Sequence, residues 1–206
     1  MKQNLIIGVI GLGYVGTPLA LSLGRFFKVV GYDLNKKRIL ELKSKKDKTN
    51  ETNFSEFIKA KKIFFTNKLK DLKDCNVFII TVPSPVTKTN KPDFYYLKKA
   101  SSLVAKVMNR KSIIVYESTV YPGATEEQCV PVLEKISKLK YNKDFFCGYS
   151  PERINPGDKK HKLENISKIV SASNKKTLDI LKFIYGKIIK ARIIPTSSIM
   201  VAEAAK

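Results

Sequence analysis

The chain has 206 residues, 43% of them hydrophobic, which is enough to bury one sizeable core. Its 39 Lys and Arg against 18 Asp and Glu leave a formal charge of +21. The lysines are spread through nearly every segment among Ile, Asn and Phe, which describes solvated helix faces better than a dedicated nucleic-acid patch, the weaker reading of the charge; no zinc-finger spacing or aromatic RNA-binding motif accompanies them.

From Gln3 to Gly24 no charged residue interrupts the chain. A membrane span or signal segment is disfavoured there by Gly8, Gly11, Gly13, Gly16 and Pro18 and by the lack of a small-residue cleavage site. LIIGVIG instead reads as a strand buried on both faces, GLGYVG as a glycine turn, TPLALSLGRFF as an amphipathic helix, and KVVGYD as a second strand ending in Asp33. That order is the dinucleotide-binding fingerprint in context. Gly11 permits the tight turn, Gly13 lets the backbone approach a pyrophosphate, and Gly16 allows close packing of helix on strand. The helix N-terminus favours the phosphates. The Asp33 carboxylate accepts bonds from both ribose hydroxyls and repels a 2′-phosphate, so NAD is expected rather than NADP.

The alternation continues. NKKRILELKSKK predicts a helix, DKTNETN a polar loop, SEFIKAKK a short helix and IFF a strand. CNVFIITVP predicts a strand, KPDFYYLKKASSLVAKVM a helix, SIIVYES a strand, and ATEEQCVPVLEKISK a helix broken near its middle by Pro131. FFCGYS and KIVSAS predict strands, NKKTLDILKFIYGKI a helix and IKARIIP a last strand; VAEAAK starts a helix with no Gly, Asn or Pro to close it. The fold expected is α/β, a Rossmann-like doubly wound, mostly parallel sheet with helices on both faces. Cys75, Cys129 and Cys147, without CxxC spacing, read as buried reduced thiols in a cytoplasmic protein. With His161 the sole histidine, neither a metal site nor a Ser/His/Asp triad is expected.

In such a sheet chemistry belongs beyond the carboxyl ends of the strands, where GLGYVG, TVPSP, ESTVYPG and YSPERINPGDK fall. Together with DKTNE and VAEAAK these motifs resemble the NAD-binding domain of the UDP-glucose/GDP-mannose dehydrogenase family, most closely the branch that oxidises UDP-N-acetylhexosamines for bacterial polysaccharides. The resemblance covers essentially the whole chain, and family enzymes are about twice as long. It implies oxidation of a C6 alcohol to a carboxylate in two NAD-dependent steps, through an aldehyde and a thioester on a cysteine that none of the three here matches. It implies that residues 1–196 form the NAD-binding domain and 197–206 begin an interdomain helix. A UDP-binding domain is then missing, and the chain is expected to be inactive alone. Full-length members form homo-oligomers.

By the same resemblance Tyr14, Val15, Asp33, Arg38, Ser84 (often Thr in the family) and Thr119 contact NAD. Glu152 assists thioester hydrolysis as a base or by holding water; Arg153 and Ile154 contact the sugar nucleotide; Lys206 faces the reacting oxygen, with Thr119 positioning water or sugar. NPGDKKH is expected to form a loop over the substrate. Read without the resemblance, TVPSP is also a stiff strand exit, Glu152 a surface partner of Arg153, and Lys206 the end of a frayed helix. A UDP-glucose 6-dehydrogenase half and a non-catalytic NAD-binding module stay open as alternatives.

Overall fold

The short apolar strands, buried on both faces where they lie inside the sheet, alternate their side chains between two cores. They are β1 (Ile6–Ile10), β2 (Lys28–Tyr32), β3 (Ile63–Thr66), β4 (Val77–Ile80), β5 (Ile113–Tyr116), β6 (Phe146–Tyr149), β7 (Lys168–Ala172) and β8 (Ile193–Pro195). A computed structural model describes residues 5–87, 89, 91–152 and 163–206 and joins these strands in one sheet of order β3-β2-β1-β4-β5-β6-β7-β8. The helices are α1 (Gly16–Leu23), α2 (Lys36–Lys43), α3 (Phe54–Lys59), α4 (Tyr95–Ala105), α5 (Val130–Ser137), α6 (Lys175–Gly186) and α7 (Ile199–Ala204). In β4, Val77 and Ile79 join the core formed with α1, α2, α3 and α6, whereas Phe78 and Ile80 join the one formed with α4, α5 and α7. β5 repeats the pattern, Ile113 and Val115 to one side, Ile114 and Tyr116 to the other.

Local chemistry sets the helix ends. The Asn35, Asn174 and Ser198 side chains accept from first-turn amides of α2, α6 and α7, and Asn53 forms a capping box with Glu56 at α3. Pro131 does not break its helix at the middle as expected. A π-turn over Thr125–Cys129 runs directly into α5, with Pro131 in the first turn. The wider turn fits the missing proline N–H and the bulk of its ring without ending the helix. α7 starts at Ile199, two residues before the VAEAAK stretch, behind the Ser198 cap, and closes with Ala205 N–H donating to the Val201 carbonyl.

Strands β1 to β6 pair in parallel, but β7 runs antiparallel to β6, and β8 is parallel to β7. The reversal brings Lys168, first residue of β7, beside the exit of β5. There its Nζ lies 3.0 Å from Glu117 Oε2, while the Tyr185 hydroxyl of α6 donates to Glu117 Oε1 at 2.5 Å. The Glu117 and Lys168 side chains are 0% and 4% exposed. Desolvation raises the Glu117 carboxyl above its ordinary value, and the Lys168 ammonium is the largest opposing influence. Among the described residues no helix is long and apolar enough to cross a membrane.

Removing one member of such a buried pair strands the other charge, so Lys168→Ala should cost about 3–5 kcal/mol in urea unfolding. A loss below about 1 kcal/mol would show that the pair does not hold β5, β7 and α6 together.

Candidate functional site

The strand order reverses between β1 and β4, so the loops leaving these two strands diverge in opposite directions and open a crevice at their carboxyl ends. A cavity of about 540 Å³ occupies it. Its walls are the glycine turn at Gly13, Tyr14 and Val15; the β4 exit from Thr81 to Ser84; the β5 exit from Glu117 to Thr119; Glu152 after β6; and Lys206 after α7. Of the residues expected at a site, Tyr14, Val15, Ser84, Thr119, Glu152 and Lys206 therefore share one space. Arg153, Ile154, His161 and the NPGDKKH segment lie outside the described residues.

The glycine turn is shaped by close backbone approach. Gly11 sits at φ +95°, and a Cβ built on Gly16 would overlap the Gly11 carbonyl oxygen and crowd Thr81 Oγ1. Thr81 Oγ1 donates to the Gly11 carbonyl at 2.7 Å, joining the two diverging loops at their root. A Cβ on Gly13, in contrast, would meet no protein atom within 4 Å. That open groove beside an α1 start with no side-chain cap is the shape and polarity a pyrophosphate requires.

One strand away, Asp33 is held at the end of β2. Its Oδ2 accepts from Leu12 N and its Oδ1 from Asn35 N, both at 2.8 Å. Each oxygen keeps a lone pair for a ribose hydroxyl. The residues present thus fit an extended dinucleotide with an unphosphorylated ribose.

Arg38 is turned beneath the turn and does not line the cavity: Nε donates to the Leu12 carbonyl and Nη2 to Thr17 Oγ1, each at 2.8 Å, and Nη1 pairs with Glu41. Asp47 of DKTNE lies 2.8 Å from Nη2 and also accepts from Thr49 and Thr52. Burial would raise the Asp47 carboxyl, but the bonds from Thr49, Thr52 and Arg38 outweigh it and hold it below its ordinary value.

On the opposite wall the Thr119 loop is pinned at its start, where Ser118 Oγ donates to the Val82 carbonyl and the Tyr149 hydroxyl donates to the Ser118 carbonyl at 3.0 Å. Lys206 Nζ donates to Thr119 Oγ1. Further along, Glu203 accepts from the amides of Gly123 and Thr125. Glu117, Ser118, Asp47 and Glu203 were not singled out in the sequence, although Glu117 and Glu203 carried a signal: each is an acid set in or at the end of an apolar run. Burial raises all three thiols, Cys75 to about 12, Cys129 to about 11 and Cys147 well above the ordinary value, and none lines the cavity.

Residues 5–189 match the model of the UDP-glucose/GDP-mannose dehydrogenase family, NAD binding domain. A UDP-N-acetyl-D-glucosamine 6-dehydrogenase of Salmonella typhi is 52% identical over 97% of this chain and 47% of its own length. One of Pseudomonas aeruginosa is 51% identical over 99% of this chain and 48% of its own. The solved UDP-D-ManNAc dehydrogenase of Pyrococcus horikoshii superposes with a TM-score of 0.87 at 33% identity, covering 98% of this chain and 49% of that one. The chain spans about half the length of the curated relatives it matches.

The two glycines separate packing from binding. Gly13→Ala should leave the urea midpoint unchanged yet abolish NAD binding by calorimetry, whereas Gly16→Ala should lower both. Asp33→Ala should weaken NAD about 10- to 100-fold, the loss of hydrogen bonds to a charged acceptor. Unaltered affinity in Gly13→Ala would move the pyrophosphate elsewhere.

Proposed function

Since the chain belongs to the UDP-glucose/GDP-mannose dehydrogenase family and is its NAD-binding domain, we propose that it is the cofactor-binding part of a dehydrogenase that oxidises the C6 alcohol of a UDP-N-acetylhexosamine to a carboxylate, for bacterial polysaccharide synthesis. The observation that carries this is the meeting of the Lys206 ammonium and the Thr119 hydroxyl at the cavity onto which the glycine turn opens. The names of the relatives from Salmonella typhi and Pseudomonas aeruginosa support the N-acetylhexosamine.

When bound, NAD supplies the acceptor for the hydrogen leaving C6. The protein's own groups handle charge and protons. Lys206 stabilises negative charge on the reacting oxygen or exchanges a proton with it, and Thr119 orients that oxygen or a water. Glu152, across the same cavity, acts as base toward water or holds it. Tyr14, Val15, Ser84 and Thr119 contact the cofactor, Asp33 its ribose, and Arg38 acts through the turn it braces. Arg153 and Ile154 meet the sugar nucleotide, where a guanidinium suits phosphate. Residues 1–196 form the NAD-binding domain, and 197–206 start the helix that leads toward the sugar-nucleotide half. We place the protein in the cytoplasm, which its unpaired thiols support, and in a homo-oligomer when joined to that half.

Fused to the C-terminal part of the Pseudomonas aeruginosa relative, residues 1–206 should form NADH from UDP-N-acetylglucosamine, and Lys206→Ala should lower kcat at least ~100-fold. A folded, NAD-binding fusion that reduces NAD with UDP-glucose alone, or with no UDP-sugar, would sink the proposal. By itself the 206-residue polypeptide should bind NAD without turnover. Its three buried thiols should stay unreactive toward Ellman's reagent until guanidinium is added; a fast-reacting thiol in the native protein would contradict this.

A further inference from the structure

We propose that Glu203 is a positioning residue that sets the register of Lys206 against Thr119. The inference rests on the reading of that pair as the reacting groups. Glu203 lies on the inward face of α7 with Ile199 and Ala202, and is only 3% exposed, an unusual place for a carboxylate. Both of its oxygens are met by backbone amides from one distant segment: Oε2 accepts from Gly123 N at 2.5 Å and Oε1 from Thr125 N at 2.9 Å. Two features of that segment suit the contact. Gly123 sits at φ +94°, a conformation side-chain-bearing residues rarely adopt, and a Cβ there would stand 3.0 Å from Glu127 Oε1. Thr125 opens the π-turn that runs on into α5, so its amide lies at the positive end of a helix dipole.

Thr119 therefore lies between two anchors. Ser118 ties the near end of its loop to the β4 exit and Tyr149, and Glu203 ties the far end to α7. Lys206 follows Glu203 by three residues and stands two past the last residue of α7. Because each residue of a helix adds about 1.5 Å of rise and about 100° of rotation, a slip of one residue at Glu203 carries the ammonium away from the Thr119 hydroxyl. The two amide bonds exclude that slip, since they fix α7 both along its axis and about it. A carboxylate suits this task better than an apolar contact, which would allow sliding.

The test uses the 206-residue chain and NMR. In the wild type a nuclear Overhauser effect should connect the Lys206 ε-methylene to the Thr119 γ-methyl, and the Gly123 and Thr125 amides should be protected from exchange. In Glu203→Ala both amides should exchange at least about tenfold faster and the Overhauser effect should vanish, while the Leu12 and Asn35 amides held by Asp33 stay protected. Glu203→Gln keeps the volume and one carbonyl oxygen, so one of the two amides should stay protected and the Overhauser effect should weaken without disappearing. Persistence of the effect in Glu203→Ala, full protection of both amides in Glu203→Gln, or parallel loss at Leu12 and Asn35 would each overturn the proposal, the last by reducing Glu203 to a general stabiliser. Neither NAD nor sugar enters the measurement, so its failure is separable from failure of the dehydrogenase reading.

Discussion

The close contact between the first turn of α1 and the end of β1 is the constraint on which the site depends. With a side chain at Gly16 the helix could not approach the Gly11 carbonyl, the turn could not close over Thr81, and the two loops that part at the strand reversal would lose their common root. Arg38 and Asp47 then serve that contact from below: the guanidinium ties the Leu12 carbonyl and the Thr17 hydroxyl together, and the Asp47 carboxylate, itself held by two threonines, keeps the guanidinium in place. A charged network thus braces the turn from behind.

Much of this was legible in the order of residues. Alternation of short apolar runs with amphipathic segments is enough to read a doubly wound sheet, and an acid following a glycine turn by one strand is enough to place Asp33 against that turn, where it accepts from Leu12 N. Local rules failed where the outcome depended on something distant in the chain. The direction of β7 is not written in KIVSAS, whose residues suit either orientation; it is seen only in the pairing with β6, Gly148 opposite Ala172 and Tyr149 opposite Ser171. Pro131 signalled a break, yet its helix survives through a π-turn, a solution that depends on packing against α4. The roles of Glu117 and Glu203 were hidden for the same reason: their partners lie 51 and 80 residues away.

Three carboxylates with buried side chains, of which Glu117 alone lines the cavity, are each satisfied differently. Asp47 is met by hydroxyls, amides and a guanidinium; Glu117 by an ammonium and a phenol; Glu203 by main-chain amides. Each ties its elements at fixed points, because hydrogen bonds add directional constraints to the register that close packing sets. The apolar layers hold the sheet and helices together, and these acids add fixed hydrogen-bonded ties between particular elements.

The reversal of β7 also determines which end of the sheet the last helix reaches. Because β8 runs parallel to β7, the chain leaves β8 at the end opposite the glycine turn, and a helix folding back over the sheet from there must travel toward the crevice. Had β7 and β8 continued the direction of β6, the same helix would have started at the crevice and delivered its terminal lysine to the far side. A single change of strand direction thus acts as a parity switch, and it is what lets a segment some two hundred residues along the chain line the same cavity as a turn formed by the first sixteen.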